Sequence, residues 1–284
     1  MTDGAPGGLP PAVRAFDALA GDFDERFSRW ESVAAQRRAV RRALLEAFPE
    51  GASLIELGGG TGEDALFLAR HRRHVLVTDG APNMVARTNE KARAAPGEGR
   101  VTAVRVSLEE LDSWARAYSG VPFDGAFSNF ASLNCILDHG PVARGLARLL
   151  VPGRRALLVV FGPCCPGEIL VQLARGKGRA AFRRLARAPA SARVGGDTFT
   201  VTYPAPRALA REFAPWFRLK RTCGIGVFVP PSGAEPAVSR FPRLLGALEA
   251  LDRVFGKPLA LLGDHVLLDF ERTDVPLDAP ADAP

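Results

Sequence analysis

Apolar positions along the chain switch repeatedly between helical and extended spacing. Phe27, Trp30, Val33, Val40, Leu44 and Phe48 recur every three or four residues or at multiples of that interval, which predicts an amphipathic helix over about 26–47. Ser53–Leu57 is a short apolar run, read as a strand, that ends in Gly58-Gly59-Gly60-Thr61-Gly62. The alternation continues with helix 64–70, strand 74–78, helix 82–94, strand 101–106 and helix 108–117. Strand 123–128, helix 141–150 and strand 156–161 follow. Strands separated by helices of this length imply parallel βαβ units with helices on both faces. The expected fold is an α/β, Rossmann-like, doubly wound and mostly parallel seven-stranded sheet.

After Gly162 the rhythm changes. A basic helical stretch (about 167–187), an alternating strand 198–202, helix 206–213, strand 217–229, helix 241–255 and a final strand 265–272 are expected. This half reads as the end of the same sheet plus an insertion that covers a pocket. One domain over 10–273 is expected: a helical cap (about 10–48), a core (about 52–162), a lid (about 163–262) and an antiparallel last strand (265–272). Residues 1–9 and 274–284 are rich in Pro with Gly or Asp, and are expected to be disordered.

The longest clean apolar run, Ala156–Phe161, is far below the ~18 residues of a spanning helix, and no basic segment followed by an apolar stretch opens the chain. A cytoplasmic protein is expected, with no membrane partner. The 37 Lys and Arg against 31 Asp and Glu give a net charge of +6. Much of the excess falls in 169–196, which holds Arg175, Lys177, Arg179, Arg183, Arg184, Arg187 and Arg193 and no acid. That segment reads either as a solvated face whose Arg stems cover apolar neighbours or as an anion-steering lip. Cys135, Cys164, Cys165 and Cys223 form no CxxC pair, so reduced thiols and no metal are expected.

A strand that ends in a glycine-rich turn and opens a helix aims backbone N–H groups at a ligand above the sheet. Asp79, at the end of the second strand, is placed to accept the hydroxyl protons of a ribose. Together they predict an adenosine-type ligand. The G-x-G-x-G spacing, with Glu56 and Glu63 nearby, departs from the dinucleotide fingerprint and would repel a pyrophosphate. An ammonium and a sulfonium would suit that acidity.

Ile55–Gly62 resembles the first motif of class I S-adenosylmethionine-dependent methyltransferases, in their small-molecule branch. Val77–Met84 resembles their second motif, with Gly80 and Ala81 as departures; Ser107–Leu111 corresponds to the segment after the third strand, with Ser where Asp is common. Phe123–Phe130 is similar to the fourth-strand motif, Leu149–Gly153 to the turn before strand five, and Phe16–Asp24 to the entry segment, with Phe23 where Tyr is common. The resemblance implies S-adenosylmethionine as cofactor. Glu56 with Gly58, Gly59 and Gly60 would hold its methionine end, Asp79 its ribose, and Ser107 and Leu108 its adenine. Met84 would pack near the adenine or ribose, with Phe23 and Gly80 in the same set, and Asn129 and Phe130 would line the methyl-transfer face.

The implied reaction is methyl transfer to a small-molecule acceptor, at oxygen, on an aromatic or natural-product-like substrate. A protonated acceptor needs a base, and His139, in the loop after strand four, is the catalytic candidate. His139 or Asp138 could instead cap the following helix. Asn134, Trp30 and Phe228 are candidate substrate contacts. Three alternatives stay open: an RNA or protein methyltransferase using 169–196, a non-catalytic scaffold, and a cyclase. No appended RNA-binding module is evident, so nucleic acid is not the expected partner; a homodimer through the insertion is compatible with the pattern.

Overall fold

The computed structural model describes residues 9–94, 97–130, 132–186, 188–194 and 196–277, without the side chains of 26–28. The cap consists of α1 (Pro11–Leu19), α2 (Phe23–Ser28) and α3 (Glu31–Ala47). Then β1 (Ser53–Leu57), α4 (Glu63–Arg70), β2 (His74–Asp79), α5 (Pro82–Ala94), β3 (Val101–Arg105), α6 (Leu111–Ala117), β4 (Phe123–Ser128), α7 (Gly140–Leu149) and β5 (Leu150–Phe161) alternate. After them come α8 (Pro166–Ala174), α9 (Gly178–Ala181), the hairpin β6 (Ala190–Val194) and β7 (Asp197–Val201), α10 (Pro206–Phe213), β8 (Phe217–Ile225), α11 (Pro242–Phe255) and β9 (His265–Arg272).

Seven strands form one sheet in the order β3-β2-β1-β4-β5-β9-β8. The strands from β3 to β5 pair in parallel, and β9 runs antiparallel to both β5 and β8. Successive side chains of a strand serve opposite faces. Ile55 and Leu57 of β1, with Val266, Leu268 and Phe270 of β9, meet α6, α7 and α10 through Leu111, Leu146 and Phe213. Leu54 and Leu267 join the opposite layer, where Val40 and Leu44 of α3 and Leu68 of α4 are buried. The sheet is thus covered on both sides, and its open rim is the carboxyl end of the parallel strands.

Several boundaries differ from the sequence expectation. The helix over 26–47 is two helices, because Trp30 is extended (φ −100°, ψ 104°) and starts α3 afresh. The basic stretch 167–187 also breaks, at Gly176 (φ +71°), into α8 and α9. The segment 163–262 is not all lid: β8 lies inside it and completes the sheet against β9, from Phe217 opposite Arg272 to Ile225 opposite His265. The part set apart from the main sheet includes α8, α9 and the β6–β7 hairpin, which forms its own two-stranded sheet. The tail is ordered further than expected. Val275 and Leu277 pack on the core, and Trp216 Nε1 donates to Pro276 O (3.3 Å). The rest of the two ends expected to be disordered, 1–8 and 278–284, lies outside the described residues.

Candidate active site

The glycine turn after β1 is shaped by backbone requirements. Gly58, Gly60 and Gly62 adopt φ of +60°, +57° and +73°, where a side chain would be strained. Gly59 is closed to any side chain, since a Cβ there would lie 2.5 Å from Val77 Cγ1 and 2.8 Å from Glu56 Cδ. Asp79 braces the turn. Its Oδ2 accepts from the Gly60 N–H (2.8 Å) and its Oδ1 from the Ala81 N–H (2.9 Å). Carboxylate oxygens accept more than one hydrogen bond each, so Asp79 keeps acceptor capacity toward the cavity it borders. Burial raises its carboxyl above the ordinary value, against the pull of those two amides.

Beneath the turn, Glu56 is buried and its Oε2 has no hydrogen-bond partner among the described residues. Burial, helped by the neighbouring Asp64, pushes its carboxyl well above the usual range despite Arg37 and Arg41. Asp64 itself is held by Arg41 Nε (2.6 Å) and Asn129 Nδ2 (2.7 Å). An orphaned acid oxygen in an acidic floor is a receptor for a cation, which would return the carboxylate to its charged form.

These groups line one cavity of about 1000 Å³ at the rim of the sheet. Of the residues expected to touch the cofactor, Phe23, Glu56, Gly58, Gly59, Gly60, Asp79, Gly80, Ser107, Leu108, Asn129 and Phe130 all line it. Ser107 also anchors the turn before α6: its N–H and hydroxyl both donate to Glu110 Oε2 (3.1 and 2.9 Å). Met84 does not line the cavity. It is buried with Ala20 and Ala81, packed by Val13, Phe16 and Phe23, so it supports the cap rather than the ligand.

The expected acceptor residues are elsewhere. His139 is buried, with Nδ1 2.7 Å from Glu212 Oε2 and Nε2 3.0 Å from Leu133 O; both ring nitrogens are engaged and the ring ties the loop to α10. It does not line this cavity, and both nitrogens are spent on partners away from it. Asn134 is fully buried and spends its amide on Thr202 O (2.6 Å) and the Phe161 N–H (3.0 Å). Trp30 precedes α3, and Phe228 packs on Phe255 (5.9 Å between ring centres); neither lines the cavity.

The far side of the cavity is furnished by residues outside the expected catalytic, cofactor and substrate set. His265, the first residue of β9, sits opposite Phe161, the last of β5. Its ring stacks on Phe161 (5.0 Å) and meets Phe130 edge-on (5.8 Å). Beside it Asp264 is held by Arg184 Nη2 (2.6 Å) and Gln36 Nε2 (3.1 Å), and Arg184 and Arg183 both pair with Glu168. Of these arginines, Arg184 is buried among its partners, whereas Arg183 stays exposed beside Glu168. Arg175 is exposed as well and donates to Gly233 O (2.6 Å).

Among known proteins, a family model for a methyltransferase domain matches residues 54–153. A malonyl-[acyl-carrier protein] O-methyltransferase of Halorhodospira halophila is 30% identical over 216 residues, which is 70% of this chain and 68% of that protein. The chain belongs to the S-adenosylmethionine-dependent methyltransferases. An S-adenosyl-L-methionine-dependent Diels-Alderase of Talaromyces variabilis is 31% identical over 114 residues, 40% of this chain and 37% of that one. The CcbJ methyltransferase of Streptomyces caelestis shares the fold with a TM-score of 0.57 at 16% identity, over 91% of this chain and 98% of that one. The [4+2]-cyclase SpnF does so with 0.57 at 15%, over 95% and 99%.

The methyltransferase uses S-adenosylmethionine, and the cavity fits it. The unpartnered Glu56 oxygen would take the ammonium, the bare turn would admit the methionine chain, and Asp79 would receive the ribose hydroxyls. Among the described residues, no helix of this methyltransferase is long and apolar enough to cross a membrane.

Proposed function

We propose that this methyltransferase methylates a hydroxyl oxygen of a largely apolar small molecule, bound between the cofactor and the insertion. One observation carries the reading. The cavity runs on from Asp79 and the glycine turn into a chamber bordered by Phe130, Phe161 and Phe199. Its volume of about 1000 Å³ stands at the top of the range for small-molecule sites, about 300–1,000 Å³. That is room for a nucleoside cofactor and a second molecule. When bound, S-adenosylmethionine supplies an electrophilic methyl on sulfur. The protein's part is to align the acceptor, exclude water and manage the acceptor's proton. The choice of oxygen is supported by the relative from Halorhodospira, which is named an O-methyltransferase.

The test is a panel of hydroxylated aromatic, polyketide-like and isoprenoid compounds incubated with the protein and methyl-labelled cofactor. Label in a product, cleaved by ether-specific chemistry, is the expected result. Label only in amine or thiol members removes the oxygen assignment. The partial match to a protein named a Diels-Alderase gives a second reading, a cyclisation, a footing. It predicts a product isomeric with its precursor and a cofactor recovered intact, which mass spectrometry of the same incubations separates.

A further inference from the structure

We propose that His265 Nε2 is the base that receives the acceptor's hydroxyl proton, with Asp264 and Arg184 as positioning residues. The inference rests on the hydroxyl-methylation reading above. His265 borders the cavity between the rings of Phe130 and Phe161, the former being one of the residues expected at the methyl-transfer face. Its two nitrogens differ. Nδ1 is buried and has no hydrogen-bond partner, lying 3.6 Å from Asp264 Oδ2. Nε2 makes no hydrogen bond to any described residue and is not among the buried, unpartnered atoms. An Nδ1–H directed at the Asp264 carboxylate leaves the Nε2 lone pair for a ligand. This is the orientation by which a buried acid fixes the tautomer of a catalytic imidazole. Catalytic hydrogen bonds are commonly long before ligand binds and tighten with it, so 3.6 Å is compatible with that role.

Burial, rather than the neighbouring charges, favours a neutral, receptive ring. Burial lowers the His265 pKa below its ordinary value, Asp264 opposes this and Arg184 adds to it. Burial alone would raise the Asp264 carboxyl, but His265 when it carries a proton, and Arg184 and Gln36 throughout, hold it below the usual range, so it stays ionised. Arg184, clamped by Glu168 and by the carbonyls of Gly162 and Asp264, keeps that carboxylate in place. From the Phe130 side the charge nearby is Arg37, 4.8 Å above the ring. In the step, the acceptor oxygen bonds to the methyl carbon as the methyl–sulfur bond breaks and its electron pair stays on sulfur. The hydroxyl proton passes to Nε2, and the resulting imidazolium, paired with Asp264, later releases it to water.

Two experiments test this. Nitrogen-15 spectra of labelled protein at pH 7, with His265→Gln assigning the resonances, should show a neutral ring protonated on Nδ1. An Nε2–H tautomer or an imidazolium overturns the proposal without any substrate being needed. With an accepted hydroxyl compound, His265→Gln should lose about 10²–10⁴-fold in kcat, the usual range for a positioned base, and keep cofactor affinity within about threefold. In the wild type, kcat should rise with pH through a midpoint below about 6.5. Asp264→Asn should move that midpoint lower still, because the charge that supports the imidazolium is gone. If wild type methylates hydroxyls and His265→Gln does so equally well, the base is elsewhere and only this inference falls. If wild type methylates no hydroxyl at all, the function reading falls and takes the base with it.

Discussion

Asp79 and His139 show how differently two polar residues of one chain are used. Asp79 keeps acceptor capacity while bracing the Gly60 and Ala81 amides, and hydrogen bonds to a charged group contribute about 1.5–3 kcal/mol each. Asp79→Asn is therefore expected to weaken S-adenosylmethionine binding by about 10- to 100-fold in calorimetry; a change below about threefold would remove Asp79 from the ribose site. His139 has both nitrogens engaged away from the cavity. His139→Ala should cost about 1–3 kcal/mol in urea unfolding and leave kcat within about twofold of wild type, whereas loss of turnover at full stability would reinstate it as a catalytic group. The glycine turn and Asp79 were legible in the sequence because their signals are local, each lying at the end of its own strand. His265 was not. Its meaning comes from the register that sets β9 against β5 and brings it beside Phe161, and nothing near position 265 in the chain announces that neighbour. His139 misled for the complementary reason: its place after β4 suggests chemistry, and only Glu212, far along the chain, shows where the ring is spent.

Elements were readable where periodicity and burial agree. β1, β4, α5, α10 and β9 stand where their apolar patterns put them, since each is either a continuous buried run or a clean helical stripe. β6, Ala190–Val194, was missed although its residues alternate, because the run is five residues long, its apolar positions are small and none of it is fully buried. Pairing between elements leaves a further testable mark at Asp112 of α6. It accepts from Arg116 on its own helix (2.9 Å) and from Arg148 (2.8 Å) and Arg144 (3.3 Å) of α7. Burial works to raise this carboxyl, yet the three guanidinium groups lower it to about 2. A carboxyl depressed in the folded state, against about 3.9 in the unfolded chain, stabilises at every pH above the unfolded value. That contribution drains away as pH falls from about 4 toward about 2. Asp112→Asn should accordingly be less stable than wild type at pH 7, with the gap in urea midpoint closing across that acidic interval. A gap that persists at pH 2 would mean that the helices are joined by packing alone.

At the scale of the molecule, the cavity is closed by pieces that the chain order keeps apart. Arg14 of α1 pairs with Asp197 of β7 (2.8 Å), and Phe16 packs on Phe199 (5.8 Å between ring centres), so the cap meets the insertion over the rim. Asp24 of α2 accepts from the Thr61 hydroxyl (2.5 Å) and from Lys91 (2.8 Å), which fastens the same cap to the glycine turn and α5. A ligand seated there touches cap and sheet at once, so its binding energy acts on the cooperative unit rather than on a loose loop. Binding to the folded state alone stabilises it by about 2.7 kcal/mol at a ligand concentration of 100 Kd. With a few degrees of melting temperature per kcal/mol for a chain of this size, S-adenosylmethionine should raise Tm by about 5 °C. Asp79→Asn at the same concentration should show half of that shift or less, because the site is then only partly saturated. Breaking the cap–insertion contact separates the two halves of the argument. Arg14→Ala removes an exposed, solvent-screened ion pair of little intrinsic worth, so the ligand-free Tm should barely move. If the roof is held by the ligand as well as by that pair, the cofactor-induced shift should nonetheless persist in Arg14→Ala and protect the β6–β7 hairpin from protease. A shift retained while the hairpin is cut at the same rate with and without cofactor would place the ligand against the sheet and cap only, with the insertion left for the acceptor.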